Sequence, residues 1–315
     1  VMTRTLRWSF LAVAVFALVL TGCGDDDSDE TAITGATPTT AADATTTTDP
    51  EAATTSTSEP GTTPVPAGEG VTVYWAWTVD TTPATTPEQL GAGGRAPSGE
   101  APAEDALAAL LEGPDELETE IGMTTEIPEG TAVLDLVIED GIAIVDLSPD
   151  FNAMSGTLGE TLAIGQIVFT LTQFDTVDAV GFRIDGEDVD AIGSHGSDVS
   201  EPLTRDDFNQ SVRPLILLES PTPGTAVTDE VVIRGEANTF EANVVYAVTD
   251  GDGLIVAEGF TTATEGNGTW GTFEEIVPVE FETAGVGAVI VWEDSAEDGS
   301  QINVVDYPID VGAAS

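Results

Sequence analysis

Thr131-Ala132-Val133-Leu134-Asp135-Leu136-Val137-Ile138-Glu139-Asp140-Gly141-Ile142-Ala143-Ile144-Val145-Asp146-Leu147 decides how the first half of this chain folds. Thr131 to Glu139 alternates, which puts Leu134, Leu136 and Ile138 on one side of a strand. Asp140-Gly141 is a tight-turn pair, and Ile142 to Leu147 returns as the partner strand. Upstream, Val71 to Trp77 alternates and predicts another strand. Ala103 to Glu112 predicts a helix with Ala106, Leu107, Leu110 and Leu111 on one face, stopped by Gly113-Pro114. Downstream, Thr157 to Phe174 predicts a second amphipathic helix with Leu158, Leu162, Ile167, Val168 and Leu171 inward, and Val177 to Ile184 a last strand. The order is β-α-β-β-α-β, an α+β block whose helices cover one face of a small sheet.

This block occupies residues 70–190. Within it, the Gly/Pro/Thr-rich stretch from Val79 to Pro102 reads as a long loop, and loops of that length are often functional. Residues 191–212 read as a polar connector. Residues 213–315 hold seven short alternating runs: Leu215–Glu219, Val231–Gly235, Val244–Thr249, Leu254–Phe260, Gly271–Val277, Ala288–Glu293 and Ile302–Val311. Turn signals such as Asp250-Gly251-Asp252-Gly253 separate them. Seven strands without a helix predict an all-β immunoglobulin-like sandwich, and with no cysteine pair it is not of the disulfide type.

The N-terminus has a different character. Arg4 and Arg7 precede the apolar run Phe10 to Leu20, which is too short for a membrane span of roughly 20 residues. A basic start and a short greasy segment describe an export signal, residues 1–22. The closing Leu20-Thr21-Gly22-Cys23 resembles the bacterial lipobox. That resemblance implies a diacylglycerol on Cys23 and cleavage just before it. The mature chain is then extracytoplasmic, lipid-anchored to the outer face of the cytoplasmic membrane by two or more acyl chains. Residues 23–69 form a Thr/Ala/Asp/Pro linker with fourteen threonines and almost no large apolar residue, so it cannot bury a core. As a flexible coil it spans about 35–40 Å.

The chain has 57 acidic residues, seven arginines and no lysine. Such a surface repels nucleic acid, because phosphate binding needs Lys and Arg. It also repels anionic headgroups, which leaves the lipid on Cys23 as the attachment to the membrane. Acids spread along the whole chain fit a salt-tolerant, halophilic source in which screening removes self-repulsion.

Few residues point to catalysis. Gly193-Ser194-His195-Gly196-Ser197-Asp198 holds Ser, His and Asp, but six residues of one connector do not supply groups converging from different elements. No catalytic residue and no cofactor is assigned. One histidine and one cysteine exclude zinc sites of the usual kind. Asp250 and Asp252 form a weak Ca²⁺ candidate that lacks the spaced acids of an EF-hand, and a plain turn is the better reading. Trp75 and Trp77 share one face of the first strand: exposed, they are a candidate partner or ligand surface, and buried, they are core.

Four segments carry a resemblance to a known family: Ala106 to Pro114, Ile127-Pro128-Glu129-Gly130-Thr131, Asp140 to Ser148, and Gln166 to Phe174. Together the first block resembles a GerMN domain, the module named for a spore-germination protein. The second resembles the immunoglobulin-like domain that accompanies it, through Ser220 to Gly224, Gly235-Glu236-Ala237, Phe240 to Asn243 and Asp298-Gly299. The resemblance implies a small α/β domain similar to ring-building domains of sporulation envelope complexes, with no known catalytic residues. The function expected is non-enzymatic binding or scaffolding, through an envelope protein or a cell-wall polymer. The alternatives are an enzyme or accessory acting on peptidoglycan or glycan, and a ligand-sensing lipoprotein.

Overall fold

The computed structural model describes residues 70–78, 88–96, 101–154 and 156–312. Cys23, the signal segment and the Thr-rich linker lie outside them, as do 79–87 and 97–100 of the long loop. From residue 70 onward the chain forms one compact unit.

The first block begins with β1 (Val71–Trp77), and β2 (Gln89–Arg95) runs antiparallel to it. The middle of the predicted loop Val79–Pro102 is therefore a strand. Its sequence is Gly-rich, and its glycines let large rings lie against the backbone: a Cβ on Gly91 would stand 3.0 Å from the Trp77 ring. Helix α1 (Pro102–Glu112) starts on proline with Glu104 and Asp105 in its first turn, which suits the helix dipole, and Gly113 ends it at φ 88°. Short α2 (Glu116–Glu120) opens on a capping box between Asp115 and Glu118. β3 (Met123–Thr124) adds to β1, giving the sheet β2-β1-β3.

The predicted hairpin is present as β4 (Val133–Glu139) and β5 (Ile142–Leu147), with Ile138 opposite Ala143 and Leu136 opposite Val145. Helix α3 (Thr157–Leu171) then crosses to β6 (Ala179–Ile184), which runs parallel to β5, and β7 (Glu187–Asp188) closes the second sheet, β4-β5-β6-β7. The expected order thus stands, distributed over two sheets. The amphipathic reading of α3 needs correcting. Every residue from Leu162 to Leu171 is buried, while Leu158 is 46% exposed. The helix has no solvent face because β1, β2, α1 and β6 surround it.

Two polar side chains of α3, with Gln173 just past its end, replace a strand that β1 lacks. β3 reaches only Ala76 and Trp77. Further back, Gln166 Nε2 donates to the Tyr74 carbonyl at 3.0 Å, and the Tyr74 N–H donates to Thr170 Oγ1 at 3.3 Å. Gln173 accepts from the Thr72 N–H at 2.7 Å and donates to its carbonyl at 2.6 Å. Buried backbone groups need partners, and α3 and the residues that follow it supply them.

The stretch 191–212 is packed rather than solvated. It carries the hairpin β8 (Ala191–Ile192) and β9 (Ser197–Asp198), buries Ile192, Val199, Phe208 and Val212, and bonds Leu203 to Val180. The sandwich follows: β10 (Ile216–Ser220), β11 (Ala226–Val227), β12 (Glu230–Ala237), β13 (Asn243–Thr249), β14 (Ile255–Thr262), β15 (Gly271–Pro278), β16 (Gly285–Asp294) and β17 (Gln301–Val311). One sheet is β10-β12-β15, the other β11-β17-β16-β13-β14. All seven predicted strands are found, and β11 is added. A single buried apolar cluster runs from Val73 through Val212 to Val311, so the two blocks share one core.

Candidate functional site

The most elaborate polar arrangement lies where the blocks meet. Thr204 and Asp207 cap the 3-10 turn Arg205–Phe208, and this turn aims Arg205 inward. Arg205 Nε donates to Thr172 Oγ1 at 3.0 Å. Its two terminal nitrogens reach Glu219 Oε1 at 2.8 Å, Glu236 Oε1 at 2.9 Å, the Tyr74 hydroxyl at 3.0 Å and the Phe169 carbonyl at 3.2 Å. Five partners match the five N–H groups of a guanidinium. The Tyr74 hydroxyl in turn donates to Glu219. Rings flank the cation, with the Phe169 centroid at 4.9 Å and Tyr74 at 5.3 Å.

Arg213 completes the bridge. It donates to Glu236 Oε2 at 2.7 Å, Asp206 Oδ1 at 3.0 Å and Asn209 Oδ1 at 2.8 Å, and lies 4.8 Å from the Trp270 centroid. Glu236 is shared between two arginines. Burial pushes its carboxyl up, but Arg205 and then Arg213 outweigh that and hold it below the usual range. Burial raises the Tyr74 hydroxyl well above its ordinary value. Every N–H of Arg205 has a partner within the cluster, and of the Arg213 guanidinium only the buried Nε has none. The arrangement holds β1, α3 and the 205–213 segment against β10 and β12.

A second buried carboxylate, Glu160, sits near the start of α3. It accepts from the His195 N–H at 2.9 Å, Ser197 Oγ at 2.9 Å and Ser194 Oγ at 3.2 Å, and faces His195 Nδ1 at 3.1 Å. Burial raises its carboxyl, but the His195 N–H, the Ser197 hydroxyl, the His195 ring and the Ser194 hydroxyl together hold it at about 2. The Ser/His/Asp run does not assemble a nucleophilic triad. Asp198 accepts from Ser200. Ser194 Oγ and Glu160 both face the same ring nitrogen, Nδ1. A triad needs the nucleophile on one ring nitrogen and the acid on the other. His195 is 54% exposed, as a loop histidine would be, yet it anchors the β8–β9 hairpin to Glu160.

The tryptophans fall on the core side of their alternative. Trp75 is 0% and Trp77 7% exposed, which corrects their candidacy as a partner surface. Trp77 donates to the Ile121 carbonyl at 2.9 Å and packs 5.2 Å from the Tyr307 ring. Trp75 lies under Arg95, itself paired with Glu118 at 2.7 Å. The other candidate pair forms a turn: Asp250 is buried and accepts from the Asp252 and Leu254 N–H groups at 3.0 Å, and Asp252 accepts from Thr283. Among the described residues no group of three or more His, Cys, Asp or Glu could hold a metal, and no helix is long and apolar enough to cross a membrane. Sequence reasoning missed Arg205, Arg213, Glu219, Glu236 and Glu160. The scarcity of cations was the available signal: two of the five arginines after the signal segment fall within 191–213.

Known proteins complete the picture. Residues 72–190 match the family model described as "Sporulation and spore germination". Residues 215–300 match the "Immunoglobulin-like domain of bacterial spore germination". The chain is thus a GerMN domain followed by an immunoglobulin-like domain of the spore-germination type. Among individual proteins it is similar to the spore germination protein GerM of Bacillus subtilis (strain 168), 31% identical over 112 residues, which is 35% of this chain and 30% of that protein. It therefore spans less than a third of the length of that relative. Among solved structures, the first GerMN domain of the sporulation protein GerM from Bacillus subtilis aligns at 26% identity over 43% of this chain and 99% of its own, TM-score 0.33. A putative lipoprotein from Clostridium perfringens aligns at 23% identity over 44% of this chain and 90% of its own, TM-score 0.32.

Proposed function

We propose that this chain is a non-enzymatic envelope protein that binds and scaffolds, with a sporulation- or germination-type role, held on the outer face of the cytoplasmic membrane by a lipid on Cys23. The two spore-germination family matches and the similarity to GerM support the role, and the lipobox-like residues support the anchor. The observation that carries the scaffolding reading is the Arg205 bridge over a shared core. It fixes the angle between two blocks, as a spacer between partners requires. Apolar side chains remain for a partner on the edge strand β4, where Leu134, Val137 and Ile138 are exposed.

The test is co-sedimentation of the soluble chain from residue 69 onward with purified cell-wall sacculi, across a salt series reaching multimolar KCl. Retention at high salt supports a wall polymer as partner. No retention of the folded protein removes that partner and leaves an envelope protein.

A further inference from the structure

Seven arginines must serve a chain with 57 acids, and the described ones are not spread evenly. Arg205 and Arg213 are consumed by the bridge, and Arg183 pairs with Asp188 on the surface. The remaining two, Arg95 and Arg234, line the same open groove of about 480 Å³ at the junction of the blocks. The first block contributes Thr72 and Arg95, the ends of β1 and β2; the second contributes Glu219, Ser220, Thr222 and Arg234. The blocks touch closely beside it, since a Cβ on Gly94 would lie 2.3 Å from Thr222 Oγ1.

The chemistry of this lining differs from the rest of the surface. Its one carboxylate, Glu219, is paired from behind with Arg205 and accepts a hydrogen bond from the Tyr74 hydroxyl. Arg95 is held rigid by both oxygens of Glu118 and by the Gly113 carbonyl at 3.2 Å. Arg234 is also engaged within the protein, so an incoming anion shares a guanidinium already positioned. What lines the groove is two guanidiniums, Arg95 already sharing its charge with Glu118, and a set of hydroxyls, in a chain otherwise rich in acids. Guanidinium groups recognise carboxylate and phosphate oxygens at short range, and hydroxyls suit a sugar. Long-range repulsion by the acidic surface is removed in molar salt, where the screening length falls to about 3 Å. Junctions between domains are also where ligand sites are commonly built.

We propose that the groove between Arg95 and Arg234 binds a carboxylate or phosphate group carried on a hydroxyl-rich envelope polymer. The inference rests on the binding reading above and names its ligand class.

Amide NMR spectra of the chain, titrated at constant high KCl with glucuronate, glucose 1-phosphate and neutral glucose, test it. Saturable shifts confined to Gly94–Ala96, Ser220–Thr225 and Arg234 are expected with an anion and not with glucose. Saturation by glucuronate alone assigns a carboxylate, and by glucose 1-phosphate alone a phosphate. Arg234→Gln weakens binding by about tenfold, the loss of one charge-assisted hydrogen bond. If that variant fails to fold, Thr222→Val is expected to weaken it in the same direction. Absence of saturable shifts in the unaltered chain overturns the proposal, as does equal affinity in the folded variants. If sacculi retain the unaltered chain and Arg234→Gln equally, the groove is excluded while the wall-binding reading stands.

Discussion

The Tyr307 hydroxyl accepts the Ala92 N–H at 2.9 Å. One residue lies on the last strand of the sandwich, the other on an edge strand of the first block, 215 positions apart. The second block therefore satisfies backbone that the first leaves open, and the same tyrosine packs its ring on Trp77.

Tyr307→Phe keeps the ring and removes the acceptor, leaving a buried N–H unpaired. The expected cost is about 1–3 kcal/mol, with Tm lowered by roughly 2–4 °C per kcal/mol. Calorimetry of the two proteins measures it, and an unchanged Tm would show that Ala92 finds another partner.

Arg205→Met leaves Glu219 and Glu236, only 18% and 15% exposed, with part of their compensation gone. Breaking a buried pair from one side costs about 3–5 kcal/mol. Adding Glu219→Gln to Arg205→Met should recover part of that loss. Urea unfolding at neutral pH decides: a loss under about 1 kcal/mol for the single variant is what a surface pair gives, and contradicts the bridge.

Glu160 makes stability depend on pH in a defined direction. Its carboxyl is held at about 2 in the folded chain against 4.5 ordinarily, so the folded state favours the ionised form. That stabilisation is fully present above about pH 4.5 and is lost as pH falls towards 2. Glu160→Gln should be less stable at neutral pH and lose less on acidification over that window. Parallel acid limbs in urea titrations of the two proteins would refute the assignment.

Anchoring through Cys23 predicts that Cys23→Ala abolishes lipid attachment. Fractionation should then find the protein released from the membrane fraction, and continued co-fractionation with membranes would mean another attachment.

Much of the fold was legible because one physical signal per element sufficed. Each sandwich strand alternates between two turn signals, and the β4–β5 hairpin is marked by Asp140-Gly141, where both residues take positive φ. The strand β2 was not legible. Gln89 to Arg95 has no β-branched residue and three glycines, so intrinsic preference argues against a strand. Pairing with β1 overrides it, and the glycines are there because rings and carboxylates need the room: a Cβ on Gly93 would lie 2.0 Å from Glu118 Oε1. Leu158 misled for the opposite reason. Helical spacing assigns one inward face, but a helix enclosed on every side has none, and only its first turn reaches solvent. The Arg205 bridge joins residues up to 145 positions apart, and no local pattern encodes such a meeting. Both tryptophans of the shared face are buried, and Trp77 meets the second block through Tyr307.

With a shared core and the Arg205 bridge, the two blocks should unfold together. Scanning calorimetry of the chain should then show one cooperative transition whose calorimetric and van't Hoff enthalpies agree, shifted as a whole by Arg205→Met. Two separate transitions, with the variant moving only one of them, would contradict it and reduce the chain to two independent domains on a tether.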